Sequence, residues 1–277
     1  MATVAVVPSD DLGMLEERLT QGDVAALILE PSGGSWATIP LMEGYLQAAR
    51  DLTTKYGVVL IFDEVITGFR WAPGGAQQRY GVTPDLTTMA KIVAGGMPGG
   101  AVAGKREIMD VLAFKDEPGW NATKKVRHQG TYNASPVVSA AGITCLQKAA
   151  DPNVQATCDD LALRLRSGFN AAIVERGVPG YAWGESSVFH LSIGEPVPNQ
   201  TGVDMRVPEG VSAEALKESG HGRHNGLLHL GMMLEGVELF HSGGMTSVVH
   251  TTDDIDQTLE AFGRVLDRMA DEGAFAD

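Results

Sequence analysis

The feature that most constrains the fold is a predicted unit of strand, helix and strand near the start of the chain. Val24–Leu29 is a short, continuously apolar run that ends at a Glu-Pro pair, as expected of a strand buried on both faces. Apolar residues then recur at helical spacing over Leu41–Tyr56, Gly57 offers a helix end, and Val58–Phe62 is a second apolar run. A crossover helix implies that the two strands pair in parallel. Because ligands bind at the carboxyl ends of strands in open α/β sheets, the residues directly after Phe62 are candidates for a site.

The length of 277 residues allows one large domain or two smaller ones. With 44% hydrophobic and 20% charged residues, the composition is that of an ordinary globular α/β protein. Asp151-Pro152 interrupts the helical pattern, and a long amphipathic helix over 154–176 and a strand over 187–193 are predicted beyond it. We therefore predict a first domain at 1–150 and a smaller C-terminal domain at 151–277.

The other predicted elements are mostly helices. They are predicted over 107–114, 135–149 and 213–230, and an amphipathic helix with an acidic first turn closes the chain. No strand or helix is predicted in the segment 68–104, which is rich in Gly and Pro.

The charge balance and the cysteines narrow the expected partners and compartment. The 21 Lys and Arg residues against 35 Asp and Glu residues give a net charge of −14, which repels nucleic acid and anionic lipid. No run of about 18 apolar residues that could cross a membrane occurs in the sequence. Cys145 and Cys158 lack disulfide or metal-ligand spacing, which suits a reducing compartment and predicts a cytoplasmic protein. The spacing of His221, His224 and His229 matches no metal-ligand set, so no metal is expected.

Charged residues at two places in the sequence could carry chemistry. Asp63 and Glu64 directly follow the strand that ends at Phe62, where they could meet a ligand or cap the next turn. Lys91 is the only charged residue of the segment 86–104, and an amine held among small and apolar groups can act as a nucleophile and form a Schiff base. A lysine that extends to solvent has the same sequence pattern, so both interpretations stay open.

A third candidate is the segment His128–Asn133. It offers a hydroxyl and backbone N–H groups in a predicted turn, which suits an anion, although most such turns bind nothing.

The order of these residues resembles that of the class III aminotransferases. The resemblance is carried by Phe62–Arg70 (FDEVITGFR), Gly81–Leu86 (GVTPDL), Lys91, Gly95–Pro98 (GGMP) and Gly130–Asn133 (GTYN). Within that group the sequence is most similar to glutamate-1-semialdehyde aminomutases and their aminotransferase relatives. The resemblance covers nearly the whole chain and implies a strand at Val248–Thr251 before the last helix.

The resemblance implies pyridoxal 5′-phosphate as cofactor and the aspartate aminotransferase-like fold of type I. That fold has a large α/β domain, here incomplete at its N-terminus, and a small α+β C-terminal domain. It implies that Lys91 holds the cofactor as a Schiff base and moves a proton, and that Asp63 pairs with the protonated pyridine nitrogen. It also implies that Val65 packs against the ring. Thr131 would reach the cofactor phosphate of the other subunit in a homodimer, and the substrate would be an amino acid or amino ketone.

The chain departs from the family at its start. Family members carry a Ser/Gly-rich phosphate loop and a stacking aromatic residue ahead of the strand that matches Val24–Leu29, whereas 23 residues precede it here. The expected function is therefore transamination by a protein whose N-terminal part is missing. Two alternatives stay open: an aminomutase, which moves an amino group within one molecule, and a truncated, inactive remnant that serves as a dimerising scaffold. A hydrolase with a GxSxG nucleophile turn is disfavoured because the sequence contains no such motif.

Overall fold

The chain forms two compact units in the computed structural model, which describes residues 3–197 and 200–276. Unit 1 comprises the residues up to Ser32 together with Leu41–Asp151, and unit 2 comprises Gly33–Pro40 together with Pro152–Asp277. Gly33–Pro40 thus leaves the first half of the sequence to join the second unit. The division into folding domains at 1–150 and 151–277 stays a prediction.

Unit 1 is built on a four-stranded sheet. Its strands in chain order are β1 (Ala26–Leu29), β2 (Val59–Asp63), β3 (Leu86–Met89) and β4 (Ala101–Gly104), and they lie side by side in the same order. β1 pairs with β2 in parallel, with Ala26 opposite Val59, which confirms the predicted pairing. β3 continues the parallel sheet and β4 closes it antiparallel. The sequence does not reveal β3 and β4 because they are four residues each and made mostly of Thr, Ala and Gly.

Five helices accompany this sheet, namely α1 (Leu12–Leu19), α2 (Tyr45–Tyr56), α3 (Gly75–Tyr80), α4 (Arg106–Met109) and α5 (Pro136–Ala149). Single 3-10 turns occur at Lys91–Ala94 and Asp110–Leu112, and a π turn at Trp120–Lys124. α2 begins four residues later than predicted because Gly44, with φ of 81°, lies in the left-handed region just before it. α2 and α1 contribute Leu46, Ala49 and Leu15 to a core that also contains Leu60 of β2.

Unit 2 is built on an antiparallel sheet of β5 (Gly180–Trp183), β6 (Val188–Ile193) and β7 (Gly243–Met245), with β6 in the centre. Its helices are α6 (Pro152–Arg176), α7 (Ala213–Glu218), α8 (Arg223–Leu234) and α9 (Thr252–Asp271). The predicted helix at 213–230 is therefore two helices. A 3-10 turn at Ser219–His221 separates them, and Gly222, with an extended ψ of 156°, precedes α8.

The strand expected at Val248–Thr251 is wrong. Val248 and Val249 lie in a turn, and the strand of this region is β7, at Gly243–Met245. The physical reason is that Thr251 caps α9: its hydroxyl accepts from the Asp254 amide, and the Asp254 carboxylate accepts from the Thr251 amide.

The Gly33–Pro40 segment forms a hairpin within unit 2. Ser35, Trp36 and Ala37 have φ angles of 54°, 51° and 70°, a left-handed turn that three non-glycine residues rarely adopt. The Trp36 carbonyl accepts a hydrogen bond from Nε2–H of His190, and the Trp36 ring lies edge-on to the His190 ring, with centroids 4.5 Å apart. These contacts hold the turn in place.

Candidate active site

Asp63 is the last residue of β2, at the carboxyl end of the strand. Its backbone lies opposite Thr88 of β3 in the parallel register, and its side chain is half-buried. Oδ1 accepts a hydrogen bond of 3.1 Å from the Val65 amide. Across residues 3–197 and 200–276 that is the one hydrogen bond found for this carboxylate, so Oδ2 is available to a ligand.

Glu64 follows Asp63 in the sequence, but the surroundings of the two side chains differ. Its side chain is 1% exposed, and all of its partners are donors. Oε2 accepts from the Thr67 hydroxyl at 3.0 Å and from the Ala76 amide at 2.6 Å, and Oε1 accepts from the Gln77 side chain at 2.9 Å. The two carboxylates that the sequence presented as a pair therefore separate into one that is available and one that is fully bonded within the protein.

Lys91 lies at the carboxyl end of the neighbouring strand. It opens the 3-10 turn that follows β3, three residues beyond Thr88, and its backbone has a φ of 51° in the left-handed region. A non-glycine residue in that region is strained, which is frequent at functional sites. Its side chain is exposed, and in the part of the chain that the structure describes its amine has no ion-pair partner.

The turn that carries Lys91 is held in place by close packing against α5. A Cβ on Gly95 would come 2.4 Å from the Ala141 carbonyl oxygen, and one on Gly142 would come 2.5 Å from the Val93 carbonyl oxygen. Because neither position has room for a larger side chain, the backbones of the turn and the helix approach as closely as glycine allows. Gly95 of the GGMP motif thus acts in packing.

Val65 and Thr131 occupy different parts of unit 1. Val65 is half-buried and donates its amide to Asp63, two residues away. Thr131 is exposed in a turn ahead of α5, in which the Asn133 amide donates to the Gly130 carbonyl at 3.0 Å. The parallel register of β2 and β3 brings together the strand ends that carry Asp63 and Lys91, and among the described residues no hydrogen bond or ion pair joins Thr131 to either of them.

Asp85, in the GVTPDL motif, has a structural role that the sequence did not disclose. Its Oδ2 accepts from Arg50 at 2.9 Å and from the Leu60 amide at 2.7 Å, and its Oδ1 lies 2.7 Å from Lys105. Burial opposes ionisation of Asp85, but Lys105, the Leu60 amide and Arg50 outweigh it and lower the pKa of the carboxyl group. The ionised side chain therefore joins β2 and α2 to the start of β3, at the amino ends of the two strands whose carboxyl ends carry Asp63 and Lys91.

A cavity in unit 1 is lined by residues other than Asp63 and Lys91. It has a volume of about 530 Å³ and is lined by residues that include Glu64, Thr87 and Lys105. Glu64 uses both oxygens within the protein, and Lys105 pairs with Asp85, so the cavity wall offers little free chemistry. Among the described residues no group of three His, Cys, Asp or Glu side chains could hold a metal ion.

The arrangement of Asp63 and Lys91 fits an aldehyde cofactor with a basic ring nitrogen. An exposed amine can condense with an aldehyde, and a carboxylate with a free oxygen can pair with a protonated ring nitrogen. Adjacent parallel strands bring both groups to one edge of the sheet.

Comparison with known proteins identifies the family. The model of the family "Aminotransferase class-III" matches residues 8–178, which is more than half of the sequence. The chain belongs to the class III aminotransferases. This family of pyridoxal phosphate-dependent enzymes is the one that its sequence motifs resemble, and the family assignment is confirmed.

The chain is similar to proteins of two named activities. It is 37% identical over 240 residues to glutamate-1-semialdehyde 2,1-aminomutase 2 of Brevibacillus brevis, covering 86% of this chain and 52% of that protein. Its fold matches an omega-transaminase from Sphaerobacter thermophilus with a TM-score of 0.79 and 32% identity, covering 96% of this chain and 57% of the other. A glutamate-1-semialdehyde aminomutase from Pseudomonas aeruginosa PAO1, solved with PMP, matches with a TM-score of 0.78 at 23% identity, covering 95% and 56%, and shows the shared fold alone.

These matches confirm the predicted transferase fold. They also show that the chain spans about half the length of the relatives it matches. No helix in residues 3–197 or 200–276 has both the length and the apolar character needed to cross a membrane.

Proposed function

We propose that this chain carries the lysine-bearing part of a pyridoxal phosphate-dependent transaminase acting on an amino acid or amine. The observation that carries the proposal is the parallel register of β2 and β3, which puts Asp63 and Lys91 at the same edge of the sheet. When bound, pyridoxal phosphate supplies an electron-withdrawing ring that stabilises negative charge on the carbon next to the amine nitrogen.

Lys91 is proposed to hold the cofactor through its amine and to move the proton at the reacting carbon. Both tasks need an amine that no other side chain neutralises, and the exposed Lys91 amine has no ion pair within the described part of the chain. The rigid packing of its turn against Gly142 of α5 supports a defined position for its backbone.

Asp63 is proposed to keep a proton on the cofactor ring nitrogen. An ionised carboxylate stabilises an adjacent positive charge, and a half-buried position strengthens that attraction relative to water. Val65, two residues further on, is proposed to pack against the ring.

Thr131 is proposed to contact the cofactor phosphate of a second subunit in a homodimer. Its support is its exposure in a turn that makes only local backbone hydrogen bonds. A cytoplasmic location is also proposed, and it is supported by two free cysteines, Cys145 and Cys158.

A second candidate activity is that of a glutamate-1-semialdehyde aminomutase. It is favoured by the 37% identity to the Brevibacillus brevis protein of that name. The two activities differ in whether a separate amino acceptor is consumed, so product analysis with and without an added keto acid distinguishes them.

The test of the proposal is covalent trapping. Incubation of the chain with pyridoxal phosphate followed by borohydride should fix the cofactor on Lys91, and peptide mapping by mass spectrometry identifies the site. Lys91→Ala should lose this label completely and retain only reversible binding, whereas Lys105→Ala, a change at an amine already paired with Asp85, should keep it. Labelling of another lysine with Lys91 unmodified would contradict the assignment.

A further inference from the structure

Glu64 is a buried carboxylate that the proposed chemistry does not use. Its side chain is 1% exposed and accepts three hydrogen bonds, from Thr67, Ala76 and Gln77. A buried carboxylate is costly unless its oxygens are bonded in this way, and a fully bonded one fixes the groups around it.

The partners of Glu64 lie in the segment that leaves the sheet. Thr67 follows three residues later, and Ala76 and Gln77 are in the first turn of α3. The Glu64 amide donates to the Thr88 carbonyl at 2.9 Å, and its carbonyl accepts from the Gly68 amide at 3.0 Å. Backbone and side chain are therefore both fixed, and the residue joins the end of β2 to β3 and to α3.

Gly75 shows how closely this carboxylate is enclosed. Its φ is 73°, and a Cβ at that position would lie 2.3 Å from Glu64 Oε2. Glycine is therefore required there for two reasons, the left-handed backbone and the contact with the carboxylate.

We infer that Glu64 is a positioning residue for Asp63. The inference rests on the proposed role of Asp63 as the partner of the cofactor ring nitrogen. Glu64 directly follows the strand, and its amide extends the pairing with β3 by donating to the Thr88 carbonyl. Successive side chains of extended backbone point to opposite faces, so anchoring the buried Glu64 on one face directs the half-buried Asp63 to the other. The bond from the Val65 amide to Asp63 Oδ1 spans Glu64, and it depends on the backbone that Glu64 holds. Glu64 thus fixes the direction in which the Asp63 carboxylate is presented.

The first experiment compares pyridoxal phosphate binding, measured from cofactor absorbance without substrate, among four variants of the full chain. Glu64→Ala removes the anchor, and Gly75→Ala displaces it without changing Glu64 itself. Both should weaken binding about tenfold, which corresponds to about 1.4 kcal/mol. Glu64→Gln should stay within about twofold of the original chain, because its amide oxygen can accept from Thr67 and Ala76 while the Gln77 amide turns to match it.

Gly81→Ala is the matched control for Gly75→Ala. Gly81 has a φ of 68°, close to that of Gly75, but no atom lies within 4 Å of the position that its Cβ would take. Both substitutions impose the same backbone strain, and only one reaches Glu64. Equal losses of binding in the two variants would overturn the inference.

A double-mutant cycle distinguishes positioning from a general structural role. If Glu64 acts through Asp63, Glu64→Ala should cost nothing further in the Asp63→Asn background, whereas a merely structural role would add its full tenfold loss. Weaker cofactor binding in Asp63→Asn would support the proposed function. If Glu64→Ala then has no effect in the original chain, or costs its full loss again in the Asp63→Asn background, the inference about Glu64 is overturned while the proposed function stands.

Two results leave the double-mutant cycle without an answer: Asp63→Asn binds the cofactor as the original chain does, or the chain binds no cofactor. In both cases amide hydrogen exchange at Val65, measured without cofactor, tests the inference about Glu64. Either of those results contradicts the proposed function for this chain. The inference about Glu64 then requires exchange at Val65 to accelerate in Glu64→Ala and in Gly75→Ala but not in Gly81→Ala. Unchanged exchange in the first two variants would overturn it.

Discussion

The sheets of the two units differ in how much of their surface the unit itself covers. In unit 2 every residue of β5 and β6 is buried, since α6 packs against both strands and α8 packs against β6. In unit 1 every residue of β4 is exposed, and β1 alternates between exposed and half-buried residues. Unit 2 thus encloses its own core, whereas unit 1 leaves part of its sheet uncovered and holds the candidate reactive groups at the strand ends. Apolar residues bury both faces of β5 and β6 in unit 2, whereas in unit 1 the apolar core covers alternate residues of β2 and leaves β4 exposed.

The largest effect is expected from a substitution that creates a cavity in the core of unit 2. Phe169 is fully buried and packs between Phe189 and Phe262, with ring centroids 5.6 Å and 4.7 Å away. Phe169→Ala should lower the free energy of unfolding of unit 2 by about 3–5 kcal/mol, because the transfer term and the cavity both contribute. The loss is measured from the hydrogen-exchange rates of the β6 amides at increasing urea concentrations. A loss below about 1 kcal/mol would mean that the core of unit 2 is not closely packed.

A pH dependence tests the same core through its buried histidine. Burial lowers the pKa of His190 to about 4, although its hydrogen bond to the Trp36 carbonyl opposes the shift and Arg166 adds to it. The unfolded state takes up the proton near pH 6.5, so stability is full above that pH and is lost as the pH falls toward 4. The total loss should be about 3 kcal/mol. His190→Gln, which keeps an N–H donor for the Trp36 carbonyl and does not titrate, should remove this part of the pH dependence.

The contact that should matter most in unit 1 is polar. Asp85→Asn keeps the size of the side chain but cannot accept from Arg50, Lys105 and the Leu60 amide as a carboxylate does. The expected cost is about 2 kcal/mol, the range for hydrogen bonds that involve charged groups. The lowered pKa of Asp85 means that its contribution is present above the ordinary Asp pKa and is lost as the pH falls through the folded-state value. Equal acid sensitivity of the variant and the original chain would show that Asp85 contributes nothing there.

The smallest effect is expected on the uncovered sheet. Val102 of β4 is 49% exposed, and Val102→Thr should change the free energy of unfolding by no more than about 0.5 kcal/mol. Threonine is the matched choice because it is also β-branched and suits a strand. A loss of several kcal/mol, measured by urea unfolding at low protein concentration, would show that β4 is covered in solution, which would break the contrast between the two sheets.

The sequence by itself determined the family, the parallel pairing of the first two long apolar strands, and the identity of the candidate pair Asp63 and Lys91. Long apolar runs and motifs of fixed spacing carry that information because burial and chemistry act on neighbouring residues. The resemblance to the family singled out Asp63, but residue type and position alone did not separate it from Glu64, because the two carboxylates are adjacent and only their partners differ.

The tertiary structure alone decided the roles of residues whose partners are distant in the chain. Thr67, Ala76 and Gln77 converge on Glu64, and the left-handed turn at Ser35–Ala37 is held by His190, more than 150 residues later. Such contacts leave no local pattern, since a strained turn or a buried carboxylate is stabilised by groups that only folding brings near. Short strands of Thr, Ala and Gly, such as β3 and β4, are likewise defined by the neighbours with which they pair and not by their own residues.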